Sequence, residues 1–200
     1  MHRNGRFATV TNFRDAVPPS GGLRSRGHLV TDFLESELSP AEFLAEIDGD
    51  QYAGFNLLVT NGGDLAYMSN RGTGRKSLAP GVYGVANAAL DARWSKVERS
   101  KAALSSLIDA GRANETNLIS MLADREKAVV AEVETGHLSF EQAHAMTAPF
   151  IVREDYGTRC SSVLLRGTAG RVRFTEVRFD ARGNNTGRSD FSFNTSTYTL

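Results

Sequence analysis

Three polar side chains stand at the ends of extended runs in this chain. Asn12 closes F-A-T-V-T-N, Asn87 closes G-V-Y-G-V-A-N, and Arg159 opens R-C-S-S-V-L-L-R. Asparagine often ends a strand and arginine often lies on a surface, so each alone is ordinary. Brought together, two carboxamides and a guanidinium would hold an oxyanion or a carboxylate, because the amides donate N–H and the guanidinium adds a planar, two-pronged cation. These three are the candidate ligand-binding residues, and no catalytic residue is expected among them.

Other residues with chemical capacity read more plainly as structure. R-G-T-G-R-K-S at 71–77 has the look of a phosphate loop, but a P-loop needs glycine directly before its lysine. Arg75 stands there instead, and Asn70 occupies the first glycine's place. An exposed, solvated loop is the expectation. The four histidines, at 2, 28, 137 and 144, include no i, i+4 pair of the kind that binds zinc from one helix face. They are assigned to surface or capping roles, and neither a metal nor a cofactor is expected. Cys160 is the one thiol. Nucleophilic use needs a base or an electropositive niche. Arg159 precedes it, but neighbours on a strand point to opposite faces, so Cys160 is expected to be a small buried filler.

The elements that would position the three candidates follow from periodicity. Residues 6–12 alternate as a strand, and P-P-S-G-G at 18–22 is a turn. Leu29, Val30, Phe33 and Leu34 recur at helical spacing. Ser39-Pro40-Ala41-Glu42 supplies an N-cap, a proline at the first helical position and a capping-box carboxylate. The period then changes to two: 55–60 and 64–70 flank N-G-G, a hairpin signal, and a third strand is expected at 81–87. Ser95 and Glu98 read as a capping box for a helix along Trp94, Val97, Leu104, Leu107 and Ile108, ended by Gly111. Shorter helices are expected from about Asn114 and from Ser139 with Gln142. Two strands close the series, T-R-C-S-S-V-L-L-R and R-V-R-F-T-E-V-R-F, joined by G-T-A-G, the second with a register change near Thr175 and Glu176. Strands, helices, then strands give α+β layers in a single domain over 1–200.

Composition narrows the partners. The 23 Lys plus Arg balance 23 Asp plus Glu, so there is no basic field to hold a polyanion, and nucleic acid is not an expected partner. One cysteine cannot form an intrachain disulfide, in keeping with a reducing compartment. The opening M-H-R-N-G-R-F lacks a signal peptide's apolar stretch, and no apolar run approaches the ~18 residues of a membrane span. A cytoplasmic protein is expected. The sequons at Asn114, Asn184 and Asn194 then read as chance matches.

Six ordered blocks carry a resemblance: T-N-F-R-D, S-R-G-H-L-V-T-D-F-L, Y-A-G-F-N-L-L, Y-M-S-N-R, L-A-P-G-V-Y-G-V-A-N-A-A-L-D-A-R-W-S-K-V and Y-G-T-R-C-S-S-V-L-L. In that order, from about Asn4 to Phe193, they closely resemble the transport and Golgi organisation 2 family, also called the NRDE family. The resemblance implies an N-terminal-nucleophile hydrolase-like fold, a layered αββα arrangement of antiparallel sheets between helices. Members normally begin Met-Cys and soon carry Asn-Arg-Asp-Glu; this chain has neither. It enters the family's pattern several dozen residues downstream, so the fold is expected to be incomplete at its N-terminus. Truncation, a misplaced start and a genuine loss are all open. Further departures are Ala86 in place of Ser, Arg93 and Ser95 in place of prolines, and Cys160 in place of Ser.

By fold-level analogy, cysteine amidohydrolases of this superfamily place asparagines and an arginine around the terminal nucleophile, in the order of Asn12, Asn87 and Arg159. Without a terminal thiol there is no nucleophile, so a non-catalytic member is expected; the resemblance implies handling of haem or lipid-like carboxylate ligands or, in eukaryotes, action in secretion and Golgi organisation, with mitochondrial or Golgi-associated placement as eukaryotic variants. The alternative is an amidohydrolase acting on linear amides whose nucleophile lies in a missing segment, and a decayed fragment is a third reading. A fold lacking its opening strands would leave a sheet edge uncovered, so self-association is expected.

Overall fold

The computed structural model describes residues 1–14, 22–72, 74–136 and 138–195. By chain contacts it divides into two compact units, Met1–Ala92 together with Thr195, and Arg93–Asn194. Both combine helices with an antiparallel sheet, as α+β layering requires.

The first unit holds a four-stranded sheet in the order β1 (Phe7–Asn12), β2 (Phe55–Thr60), β3 (Leu65–Ser69) and β4 (Arg75–Leu78). Helices α1 (Gly27–Glu35) and α2 (Pro40–Glu46) form where the spacing puts them. The Ser39 cap is reciprocal: its hydroxyl accepts from Glu42 N at 3.3 Å, and Ser39 N donates to Glu42 Oε2 at 2.9 Å. Hydrogen bonding from the Ser39 side chain, and then from the Ser39 backbone, holds the Glu42 carboxyl below its ordinary range. The N-G-G turn joins β2 to β3, with Asn61 Oδ1 accepting from Gly63 N and Asp64 N, while Gly62 takes φ 95°, a left-handed conformation that a side chain disfavours.

Phe33, Phe43, Leu44, Phe55, Leu57 and Val59 form the core of this unit, with Phe33 and Phe43 edge to face at 5.1 Å. Arg6 is buried with them. Its Nε donates to Phe33 O, and its Nη2 donates to Leu38 O and Ser36 Oγ, so the charge is fully engaged where α1 ends.

Two expectations here are corrected. Residues 81–87 are not a strand; the fourth strand is Arg75–Leu78, which overlaps the stretch 71–77 read as a solvated loop. A short edge strand with mostly exposed side chains needs no apolar alternation, so period-two reading passes over Arg75, Lys76 and Ser77. Val85 and Ala86 of that stretch instead belong to an irregular strap, residues 84–91. The expected turn at 18–22 lies outside the described residues except for Gly22.

The second unit begins with α3 (Ser95–Asp109), α4 (Glu115–Leu122) and α5 (Phe140–Ala145), followed by a sheet ordered β5 (Cys160–Arg166), β6 (Arg171–Phe179) and β7 (Asn185–Asn194). Asn114 caps α4 through Asn117 N, and Ser139 with Gln142 form the expected box on α5. The box expected at Ser95 is absent: Trp94 is the capping residue, Ser95 is already helical, and no side chain caps the end. β6 pairs continuously with β5, and its irregularity lies at Arg178/Phe179 against β7, not at Thr175 and Glu176. β7 itself escapes sequence reading because Asn185, Thr186, Gly187, Arg188 and Ser189 offer no apolar alternation. His137 lies outside the described residues.

Candidate functional site

The first unit assembles a buried polar network around its sheet. Thr11 of β1 and Asn56 of β2 are directly opposed, and β3 supplies Tyr67. Asn56 and Tyr67 are 1 % and 0 % exposed, so their polar atoms must find partners within the protein. Tyr67 Oη donates to Asn56 Oδ1 at 2.7 Å and accepts from Leu90 N at 3.1 Å. Asn56 Nδ2 donates to Ala88 O at 3.0 Å and to Thr11 Oγ1 at 3.2 Å, and Thr11 Oγ1 donates to Ala86 O at 2.8 Å.

What these side chains hold is the strap, residues 84–91. It is clasped at both ends: Asp91 N donates to Gly84 O, and Gly84 N donates to Asp91 Oδ1, each at 2.8 Å. Asp91 closes the loop at φ 57°, a conformation that aspartate tolerates better than most residues. Asn87 sits on this strap. Its Nδ2 donates to Asn12 O at 2.9 Å, and Arg14 N donates to Asn87 O at 2.7 Å.

The structure therefore brings Asn12 and Asn87 together, and the Asn87 amide nitrogen is spent on main chain. The Asn12 carboxamide is exposed and, among the described residues, has no hydrogen-bond partner. Sequence reasoning missed Thr11, Asn56, Tyr67 and Asp91 as the residues that shape this region. The available signal was faint: an asparagine inside an otherwise apolar strand, F-N-L-L-V, which demands a partner once buried.

Arg159 lies in the second unit, on the segment leading into β5. The preceding loop closes through a bridge between Val152 and Gly157, with Thr158 N donating to Ile151 O at 2.8 Å. Gly157 is required there, because a Cβ would stand 2.9 Å from Ile151 O. A cleft of about 300 Å³ is lined by Arg153, Glu154, Asp155, Tyr156, Gly157, Arg159 and Ala181. Arg153 is neutralised by Asp155 through Nη2–Oδ1 at 2.9 Å. The exposed Arg159 guanidinium has neither a hydrogen-bond nor an ion-pair partner among the described residues.

Cys160 is exposed, which corrects its expected role as a buried filler. Alternation along β5 turns Ser161 and Val163 to the buried face and leaves Cys160 and Ser162 exposed. No side chain hydrogen-bonds to the thiol among the described residues. A larger groove, about 730 Å³, runs between α3 and α4 over Ala103, Leu107 and Met121, and none of Asn12, Asn87 and Arg159 lines it. Among the described residues no three-residue metal cluster occurs, and no helix is long and apolar enough to cross a membrane.

The model of the family described as Transport and Golgi organisation 2 matches residues 1–181. The chain belongs to the transport and Golgi organisation 2 family. Relatives agree: the Transport and Golgi organization protein 2 homolog of Bos taurus is 32% identical over 190 residues, spanning 86% of this chain and 68% of the relative. The Homo sapiens homolog of that name is 30% identical over the same shares. A Mus musculus Transport and Golgi organization 2 homolog is 29% identical over 188 residues. The family match covers both the strap and the Arg159 segment, so both candidate regions belong to the shared domain sequence.

Proposed function

We propose that this family member binds a small carboxylate-bearing ligand through Arg159 and does not carry out a reaction with its own side chains. Haem propionates and acyl carboxylates both satisfy that chemistry. The observation that carries the reading is the Arg159 guanidinium, unpaired among the described residues, beside a cleft whose other arginine, Arg153, is already neutralised. A carboxylate arriving there meets one free planar cation, and the exposed Tyr156 offers an apolar ring and a hydroxyl beside it. A binding role is supported further by Cys160, an exposed thiol with no hydrogen-bonded base among the described residues.

The cellular process is extended to this chain from the relatives' name, transport and Golgi organisation. The N-terminal-nucleophile hydrolase-like layering, the single domain over 1–200 and a cytoplasmic, mitochondrial or Golgi-associated placement belong to the same reading. The test is calorimetric titration of the purified chain with haem and with dodecanoate. Arg159→Lys is expected to weaken binding roughly tenfold, since lysine cannot copy the two-pronged contact. Cys160→Ser should change nothing, Asn12→Ala reports on the exposed carboxamide separately, and Ala103→Trp fills the competing α3–α4 groove. Wild-type affinity in Arg159→Ala, or loss of binding in Ala103→Trp alone, would overturn the proposal.

A further inference from the structure

β7 is an outer strand of its sheet, ten residues long and free of proline. Most of its side chains are exposed, and Phe191 is 59 % exposed. A long outer edge carries backbone N–H and C=O groups that can pair with another strand, and proteins commonly guard such edges with charge. On β7 the charges are Arg188 and Asp190, two apart and therefore on one face, with Ser189 between them. That arrangement is complementary to itself.

We propose that β7 pairs antiparallel with β7 of a second copy of this chain, about a twofold axis through Ser189, to make a continuous six-stranded sheet. Within each strand Arg188 Nε already pairs with Asp190 Oδ2 at 2.8 Å; in this register Asp190 stands opposite the partner's Arg188, and Arg188 opposite the partner's Asp190, so the two pairs join into an alternating four-charge cluster across the axis. Centring the axis one residue earlier sets Arg188 against the partner's Arg188; centring it one residue later sets Asp190 against the partner's Asp190. Like charges directly opposed are unfavourable, so the sequence discriminates among neighbouring registers.

The other face fits the same register. Phe191 stands opposite the partner's Gly187, which has no side chain to obstruct the ring. Gly187 is covered by its own chain's Arg178, whose Nη2 lies 2.8 Å from where a Cβ would stand. The exposed phenyl ring therefore meets a guanidinium and gains a cation–π contact across the axis. Pairing along this length forms about ten main-chain hydrogen bonds, the number a typical specific interface carries. The contact is isologous and closes as a dimer without propagating.

The register makes the proposal testable with the full chain. Residues directly opposed in an antiparallel pair lie within disulfide range. In a Cys160→Ser background, Ser189→Cys is expected to oxidise to a covalent dimer, whereas Ser192→Cys is expected to stay uncrosslinked. Sedimentation velocity of the unmodified chain should show a concentration-dependent dimer. Arg188→Glu should weaken it roughly tenfold or more, and Arg188→Glu with Asp190→Lys should restore it. Thermal melts of each variant report on folding. A monomer at tens of micromolar, equal crosslinking at Ser192→Cys, or a folded double variant that stays monomeric would overturn the dimer.

Discussion

Asn56 and Arg159 are both polar groups at sheets, and their surroundings differ in kind. Asn56 is 1 % exposed and gives its amide to three neighbours, while Tyr67 returns a hydrogen bond to its oxygen. The Arg159 side chain is exposed, and its guanidinium has no partner among the described residues. A buried polar group left unpaired costs stability, so the Asn56 network is committed to holding the strap. An exposed guanidinium costs little to leave open, so it remains available to a ligand. Asn87 falls between the two: its carboxamide belongs to the candidate set, yet it is used to tie the strap to Asn12.

That contrast predicts opposite phenotypes. The largest effect belongs to Asn56→Ala, which strands the Tyr67 hydroxyl and the strap carbonyls in a dry site. It should destabilise the protein by about 3 kcal/mol in urea unfolding. A loss under 1 kcal/mol would mean that the strap finds other partners and that the network is not structural.

Trp94→Ala comes next. The ring is only half-buried at the start of α3, with Lys96 Nζ 5.3 Å from its centroid, so the cost expected of a fully buried indole does not apply. A loss of about 1–2 kcal/mol is expected by the same denaturation assay.

Acid separates the regions differently. The Asp190 carboxyl is lowered to about 2, chiefly by hydrogen bonds from Arg188 and then from Thr175. A carboxylate whose folded pKa lies below its unfolded value stabilises the fold above the ordinary range, about 3.9, and that contribution fades as pH falls through 2. Asp190→Asn should therefore flatten the melting temperature's dependence on pH between about 4 and 2. The hydrogen bonds that Tyr67 makes to Asn56 and Leu90 involve no carboxylate or histidine, so Tyr67→Phe should leave that profile unchanged. The smallest stability effect is expected for Arg159→Ala, within about 0.5 kcal/mol of wild type, as suits an exposed side chain without partners among the described residues. A larger loss would assign Arg159 to the structure and remove it from the ligand site.

Much of this protein was legible in local sequence because the signals were local. Ser39-Pro40-Ala41-Glu42 and Ser139 with Gln142 carry their partners within four residues, so each helix start is written where it forms. N-G-G encodes its turn through positive φ and an Asx oxygen within three residues. Family membership was likewise readable from ordered blocks and is matched over 1–181.

What only the tertiary structure decided involves partners far apart in the chain. β4 and β7 are strands because β3 and β6 offer them edges to pair with, and their own side chains, largely exposed, carry little apolar pattern. Residues 81–87 alternate like a strand, yet Thr11, Asn56 and Tyr67 capture the stretch from 84 to 91 as a strap through bonds spanning up to 75 residues. The fate of Cys160 turned on the same kind of choice: strand alternation halves the options, but which half faces the core depends on what packs against the sheet. Periodicity fixes relative orientation along an element. Burial of that element against its neighbours supplies the absolute one.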